Sequence, residues 1–139
     1  RRLSVVMDTA ALQFAMADWC ANPTTAEGTH GHISAWDVSA VMDLSSLIYS
    51  HCGSSESVIN RNTFNEDISA WDVSAVTDMS FMFYYASVFD QPLSGWDTSS
   101  VTTMHAMFYR DWKFNQVLCW DVTGKVVTSM FGGSKGSVN

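Results

Sequence analysis

Four aspartates occupy the same place in a recurring motif. Asp37, Asp72, Asp97 and Asp121 each follow a tryptophan, in ISAWDVSAV at 33–41, the same nine residues at 68–76, LSGWDTSSV at 93–101 and WDVTGKVV at 120–127. Regularly spaced carboxylates suit a calcium ion or a docking strip for a basic partner. They also have a local use: Asp two residues before Ser or Thr accepts that residue's hydroxyl and main-chain N–H in a turn, and Ser39, Ser74, Ser99 and Thr123 are placed to donate. Both readings stay open at this level.

Other reactive groupings are sparse. Glycine-rich phosphate loops, H-E-x-x-H and G-x-S-x-G are absent, and His30, His32, His51 and His105 are scattered. His30 and His32 could share one side of an extended segment, but no third ligand follows at a zinc-site spacing. No catalytic residue, resident metal or cofactor is therefore expected, and no enzyme. Cys20, Cys52 and Cys119 form no C-x-x-C pair. One disulfide between Cys20 and Cys52 would suit an oxidising compartment, and three small buried thiols is the other reading.

The elements that must position these residues follow from the repeat. Trp36, Trp71, Trp96 and Trp120 are separated by 35, 25 and 24 residues, and Phe64, Phe89 and Phe114 lie 25 apart. The longer first interval contains YSHCGSSESVINRNT at 49–63, which has the composition of a surface-loop insertion. Ile68, Trp71, Val73 and Val76 follow the spacing of a short buried strand. Met79, Met82 and Phe83 follow the spacing of one helical face, repeated as Leu44/Leu47/Ile48, Met104/Met107/Phe108 and Val127/Met130/Phe131. The expected architecture is an α/β solenoid of leucine-rich-repeat type, with one short parallel strand and one short helix per repeat and an internal ladder of tryptophans.

Residues 1–32 stand outside the repeat. DTAALQFAMADWCANP predicts an amphipathic helix with Asp8 or Thr9 as cap, Leu12, Ala15, Met16 and Trp19 on its buried face and a stop at Asn22-Pro23, serving as an N-terminal capping helix. The expected organisation is a single domain: cap 1–32, four repeats over 33–131 and a tail at 132–139. The start at RRLSVVMD, without Met, points to a processed or trimmed chain.

Composition narrows the partners. Of 139 residues 47% are apolar and only 15% charged, and the formal net charge is −7, which disfavours nucleic acid and anionic membrane surfaces and favours basic partners. No apolar run reaches the roughly 20 residues that cross a bilayer.

The stretch FNEDISAWDVSAVTDMSFMFYYASVFDQPLSGWDTSSVTTMHAMF resembles the BspA-like surface-protein repeats, whose pattern runs F-N-x-x-[IL]-S-x-W-D-[VT]-S-x-V-T-x-M-x-x-M-F, and the match covers residues 33–131. WCANPTTAEGTHGHISAWDVS is similar to the N-terminal cap of algal and other microbial eukaryotic members. The resemblance implies a leucine-rich-repeat variant at a cell surface or in secretion, with protein binding or adhesion as its function and no catalytic residues to carry over. The insertion and the degenerate fourth unit depart from the pattern and favour a compact module over a long adhesive array. The expectation is a non-catalytic protein-binding or structural module. The alternative is a peripheral structural subunit of a larger assembly, one bound to a membrane or housed in an organelle lumen.

Overall fold

The computed structural model describes residues 5–52 and 63–139, so the 49–63 insertion lies mostly outside the described residues. The chain begins with α1 (Thr9–Ala21) and α2 (Pro23–His30). Asp8 caps α1 by accepting the Ala11 N–H at 2.8 Å, as a short acidic side chain at that place should. Leu12, Ala15, Met16 and Trp19 form the buried face of α1. Asn22 ends α1 and at the same time caps α2 through the Thr25 N–H, with Pro23 in the first turn, where its missing N–H costs nothing.

From residue 33 onward the structure departs from expectation. Beyond a 3-10 turn at Ile33–Ala35, the remaining described elements are α3 (Leu47–His51) and two parallel two-residue strands, β1 (Val117–Leu118) and β2 (Ser137–Val138). The α/β solenoid with a strand and a helix in every repeat is not what forms. Two local causes account for this. The aspartate after each tryptophan bends the chain into a turn instead of letting a strand continue. Left-handed residues at Ser46, Phe81, Ala106 and Ser129, with φ between 52° and 58°, interrupt the segments that carry helical spacing. Apolar periodicity reports which side chains are inside, and it is silent on these backbone reversals.

The inside is as the spacing implies except in the fourth unit, where Met130 is buried but Val127 is exposed and Phe131 half-buried. Ile68, Trp71, Val73 and Val76 are buried, as are Met79, Met82 and Phe83 and their counterparts Met104, Met107 and Phe108. Trp36 stacks on Trp71 and Trp96 on Trp120, both with centroids 6.3 Å apart. Each indole N–H of Trp71, Trp96 and Trp120 donates to a carbonyl of the preceding unit: Ile33 at 2.8 Å, Ile68 at 3.1 Å and Leu93 at 3.1 Å. Phe64, Phe89 and Phe114 stack at 6.0 Å steps.

Main-chain bonds tie the units together in constant register. Isolated parallel bridges join Asp43 to Asp78, Asp78 to Thr103 and Thr103 to Val126. The N–H groups of Met79, Phe81, Phe83 and Tyr85 donate to the carbonyls of Thr103, His105, Met107 and Tyr109. One set later, those of Met104, Ala106, Phe108 and Arg110 donate to Val126, Thr128, Met130 and Gly132. The final residues are also bonded: Ser137 and Asn139 donate to Gln116 and Leu118.

Cys20 and Cys52 form a disulfide, with Cα atoms 4.9 Å apart, that joins the end of α1 to the residue after α3. It closes a loop with a sequence separation of 32. On loop-closure entropy alone its reduction should cost about 3.5 kcal/mol, a fall of roughly 10 °C in melting temperature for a domain of this size. Melting with and without a reductant checks this, and unchanged melting would show that the cap is held by packing alone. Cys119 is a free, exposed thiol.

Candidate functional site

The four motif aspartates lie at the surface: Asp72, Asp97 and Asp121 are exposed and Asp37 half-buried. Each carboxylate is committed to a turn. The Oδ1 atoms of Asp37, Asp72, Asp97 and Asp121 accept the N–H groups of Ser39, Ser74, Ser99 and Thr123 at 3.1, 3.0, 3.0 and 2.9 Å. Ser39 and Ser74 add their hydroxyls at 2.5 and 2.6 Å. The serine and threonine partners hold Asp72, Asp97 and Asp121 below the usual carboxylate range. Asp43, Asp67 and Asp78 make the same turn onto Ser45, Ser69 and Ser80.

Lys125 changes the charge at one end of the row, lowering the Asp97 and Asp121 carboxyls further. Its ammonium donates to the carbonyls of Thr98, Ser99 and Val101. Among the described residues no three His, Cys, Asp or Glu side chains are close enough to hold a metal ion. The geometry gives each aspartate a structural task. Replacing Asp72 and Asp97 by Asn keeps the acceptor oxygen and removes their mutual repulsion. The double variant also loses the charge that these hydrogen bonds favour, so at neutral pH it should melt slightly below the parent, and millimolar calcium should stabilise neither protein. A calcium-dependent rise confined to the parent would make the row a cation site, since a ligand of the folded state alone raises stability.

The two histidines of the sequence pair are also engaged. His30 Nε2 lies 2.8 Å from Asp18 Oδ2, and His32 Nδ1 lies 2.8 Å from Ser34 Oγ. Beside them a groove of about 450 Å³ runs between Val5, Val6, Phe14 and Trp36, and Val5 and Phe14 are among the most exposed large apolar residues.

A different surface gathers more chemistry. All four tyrosines of the chain, Tyr49, Tyr84, Tyr85 and Tyr109, meet in one strip. Tyr84 stands edge-on to Tyr49 at 5.0 Å and to Tyr85 at 4.7 Å, and stacks on Tyr109 at 5.3 Å. Phe81 extends the strip to Tyr84 and to His105. The Arg110 guanidinium carbon lies 5.8 Å from the Tyr85 ring centroid and 5.6 Å from that of Tyr109, within cation–π range. Partial burial raises the Tyr84 phenol above its usual value, with smaller contributions from the neighbouring tyrosines, so this phenol stays uncharged at neutral pH.

The backbone beneath the strip is left-handed at Phe81, Tyr85 and Arg110, with φ of 58°, 59° and 58°. Ser46, Ala106 and Ser129 hold the place of Phe81 in other units and Gly133 that of Tyr85, so the conformation belongs to the repeat. What sets the strip apart is that bulky side chains occupy these places, at about 1–2 kcal/mol each. A Cβ at Gly132 would come 2.7 Å from the Tyr109 ring, so this glycine lets the last ring lie against the following main chain.

Reading the tryptophan motif alone misses this strip. Its signal is nevertheless present: Tyr49, Tyr84 and Tyr109 are 35 and 25 residues apart, the same intervals as Trp36, Trp71 and Trp96. Among the described residues no helix is long and apolar enough to cross a membrane. No curated protein and no solved structure matches the chain. A family model described as a Mycoplasma protein of unknown function, DUF285, matches residues 21–138, most of the chain, and the protein belongs to that family.

Proposed function

We propose that the protein is a non-catalytic protein-binding module whose contact face is the tyrosine strip, and that its partner presents arginine or lysine side chains. The convergence of Tyr49, Tyr84, Tyr85 and Tyr109 with Phe81 carries this reading. Tyrosine supplies large contact area at little conformational cost, and its ring faces attract cations. Arg110, seated over Tyr85 and Tyr109, is an internal example of the contact a partner's arginine would make. The net charge of −7 favours approach of a basic segment. The BspA-like resemblance, with its surface-adhesion associations, agrees with this role, and the Cys20–Cys52 disulfide suits an oxidising location at a cell surface, in secretion or, as the alternative, in an organelle lumen.

The exposed apolar groove at Val5, Val6 and Phe14 favours a second reading, a peripheral subunit of a larger assembly. Binding measurements separate the two. An extended arginine-containing peptide should bind saturably, its glutamine counterpart should not, and Tyr84→Ala should weaken binding at least tenfold while melting close to the parent. Equal affinity of parent and Tyr84→Ala would remove the strip from the function. Aggregation of the purified chain with no peptide binding would favour the subunit.

A further inference from the structure

We infer that the turn at residues 110–113, on the side of the stack, binds an acidic segment of a partner protein through Trp112 and Lys113, a contact separate from the one assigned to the tyrosine strip. The charge of the chain is divided. Residues 5–52 and 63–109 contain eleven Asp or Glu and no Lys or Arg, whereas residues 110–139 contain Arg110, Lys113, Lys125 and Lys135 against Asp111 and Asp121. Lys125 is already committed to the carbonyls of Thr98, Ser99 and Val101. Among the described residues the Lys113 and Lys135 ammoniums take part in no ion pair or hydrogen bond. A basic corner on an otherwise acidic molecule orients an acidic partner as it approaches.

Two adjoining segments build this corner. The Arg110 N–H donates to the Gly132 carbonyl at 2.7 Å, and the Phe114 carbonyl accepts the Lys135 N–H at 3.1 Å and the Ser134 hydroxyl at 3.3 Å, so residues 110–114 lie along 132–135. The Phe114 N–H closes the turn on the Asp111 carbonyl at 3.2 Å. Asp111 and Phe114 are buried while Trp112 and Lys113 stand exposed at the tip, Trp112 to 52%. Asp111 does not offset the lysines, because burial raises its pKa to about 8 and keeps it protonated at neutral pH. The nearby Asp90 carboxylate is engaged by the Asn115 N–H and the Gln116 amide. Phe114 stacks on Phe89, which sets Trp112 and Lys113 in the places of Ser87 and Val88 one unit earlier. Core packing does not call for that exchange at exposed positions. The neighbours of this turn along the stack, at 86–88 and 134–136, both belong to the described structure, so its outward face is a side of the stack rather than an end.

The side chains define the occupant. Trp112 offers an apolar anchor of the kind on which interface energy concentrates, and Arg110, held over the Tyr85 and Tyr109 rings, leaves Lys113 and Lys135 as the unspent charges. A segment with Asp or Glu on both sides of an apolar residue matches this arrangement. A long polyanion such as nucleic acid, or an anionic bilayer, would also face the acidic remainder of the molecule, whereas a short acidic segment need meet only the corner.

The test is an NMR titration of the intact protein with a short synthetic peptide of glutamates flanking one leucine, run beside its glutamine counterpart. The glutamate peptide should give saturable shifts at Trp112, Lys113 and Lys135. Its binding should weaken at least tenfold when salt is raised from about 0.1 M to about 1 M, where the screening length falls from about 10 Å to about 3 Å. Lys113→Glu and Trp112→Ala should each weaken binding at least tenfold while melting as the parent does, and Lys113→Arg should retain it. Tyr84→Ala should leave it unchanged, which separates this surface from the tyrosine strip. No saturable binding at millimolar peptide, equal binding of the glutamine peptide, or shifts confined to the strip overturns the proposal. Shifts at Trp112 and Lys113 that grow with protein concentration and no peptide also overturn it, because the occupant would then be a second copy.

Discussion

Replacing Trp71 by alanine should remove about 3–5 kcal/mol of stability, the range for deleting a large buried aromatic and a large share of what a domain of this size possesses. Three losses combine. The indole is only 3% exposed, so its apolar area returns to solvent or leaves a cavity. The stack on Trp36 at 6.3 Å disappears. The Ile33 carbonyl also loses the indole donor at 2.8 Å in a buried setting and keeps only the longer bond from the Trp36 N–H at 3.3 Å. Trp112, 52% exposed, provides the control, and its alanine variant should melt close to the parent. Denaturant unfolding of both variants measures the difference. Parent-like stability of Trp71→Ala would mean that the tryptophan column does not hold the units together.

Asp111→Ala should act in the opposite direction and stabilise the protein at neutral and alkaline pH. Asp111 is fully buried, and neither carboxylate oxygen has a hydrogen-bond partner among the described residues. Its own main-chain N–H bonds Phe108, as Ala86 bonds Phe83 and Ser134 bonds Phe131, so the carboxyl stands where the preceding unit has a buried alanine. Burial pushes its pKa up to about 8; the Asp90 charge adds to this, and the nearby Phe114 and Lys113 N–H groups oppose it without making a bond to either oxygen.

Because the folded-state pKa is raised, the native protein holds a proton that the unfolded chain releases above about 4. Asp111 therefore lowers stability progressively as pH rises from about 4 to about 8 and adds no further slope beyond. Across that interval the loss amounts to at most about 5 kcal/mol. The turn aspartates Asp67, Asp72, Asp97 and Asp121 have depressed values, so their contribution is present above the unfolded pKa and is lost as pH falls through the folded one. The parent should accordingly be most stable between these two regimes. Asp111→Ala should remove the decline between about pH 4 and about 8 and match the parent near pH 4. A variant that melts below the parent at pH 8 would show that the carboxylate has a partner in solution.

How far the sequence can be read depends on what each residue pattern encodes. The capping of α1 by Asp8, its buried face and the interior positions of Trp71, Met79 and Phe83 are legible because apolar spacing and short acidic caps act locally. The expected strand and helix in each repeat are not realised. Nothing in the composition of DMSFMFYY announces that Phe81 and Tyr85 turn left-handed, a conformation that bulky residues normally avoid. The Asp–x–Ser turns are visible as an alternative to a cation strip, and the hydrogen bonds at Ser39, Ser74, Ser99 and Thr123 give them their structural use. The tyrosine strip is legible only in part: Tyr49, Tyr84 and Tyr109 keep the repeat intervals, whereas Tyr85 and Arg110, one repeat apart, differ in residue type, and ring and charge converge only once the units are stacked.

The most direct measurement of the binding role is a residue-resolved NMR titration of the intact protein with the arginine-containing peptide. The expected result is a set of saturable shifts at Tyr49, Phe81, Tyr84, Tyr85, Tyr109 and Arg110, reduced at every point by Tyr84→Ala. Shifts confined to Asp37, Asp72, Asp97 and Asp121, or no saturable shifts at all, would contradict the assignment of recognition to the tyrosine strip.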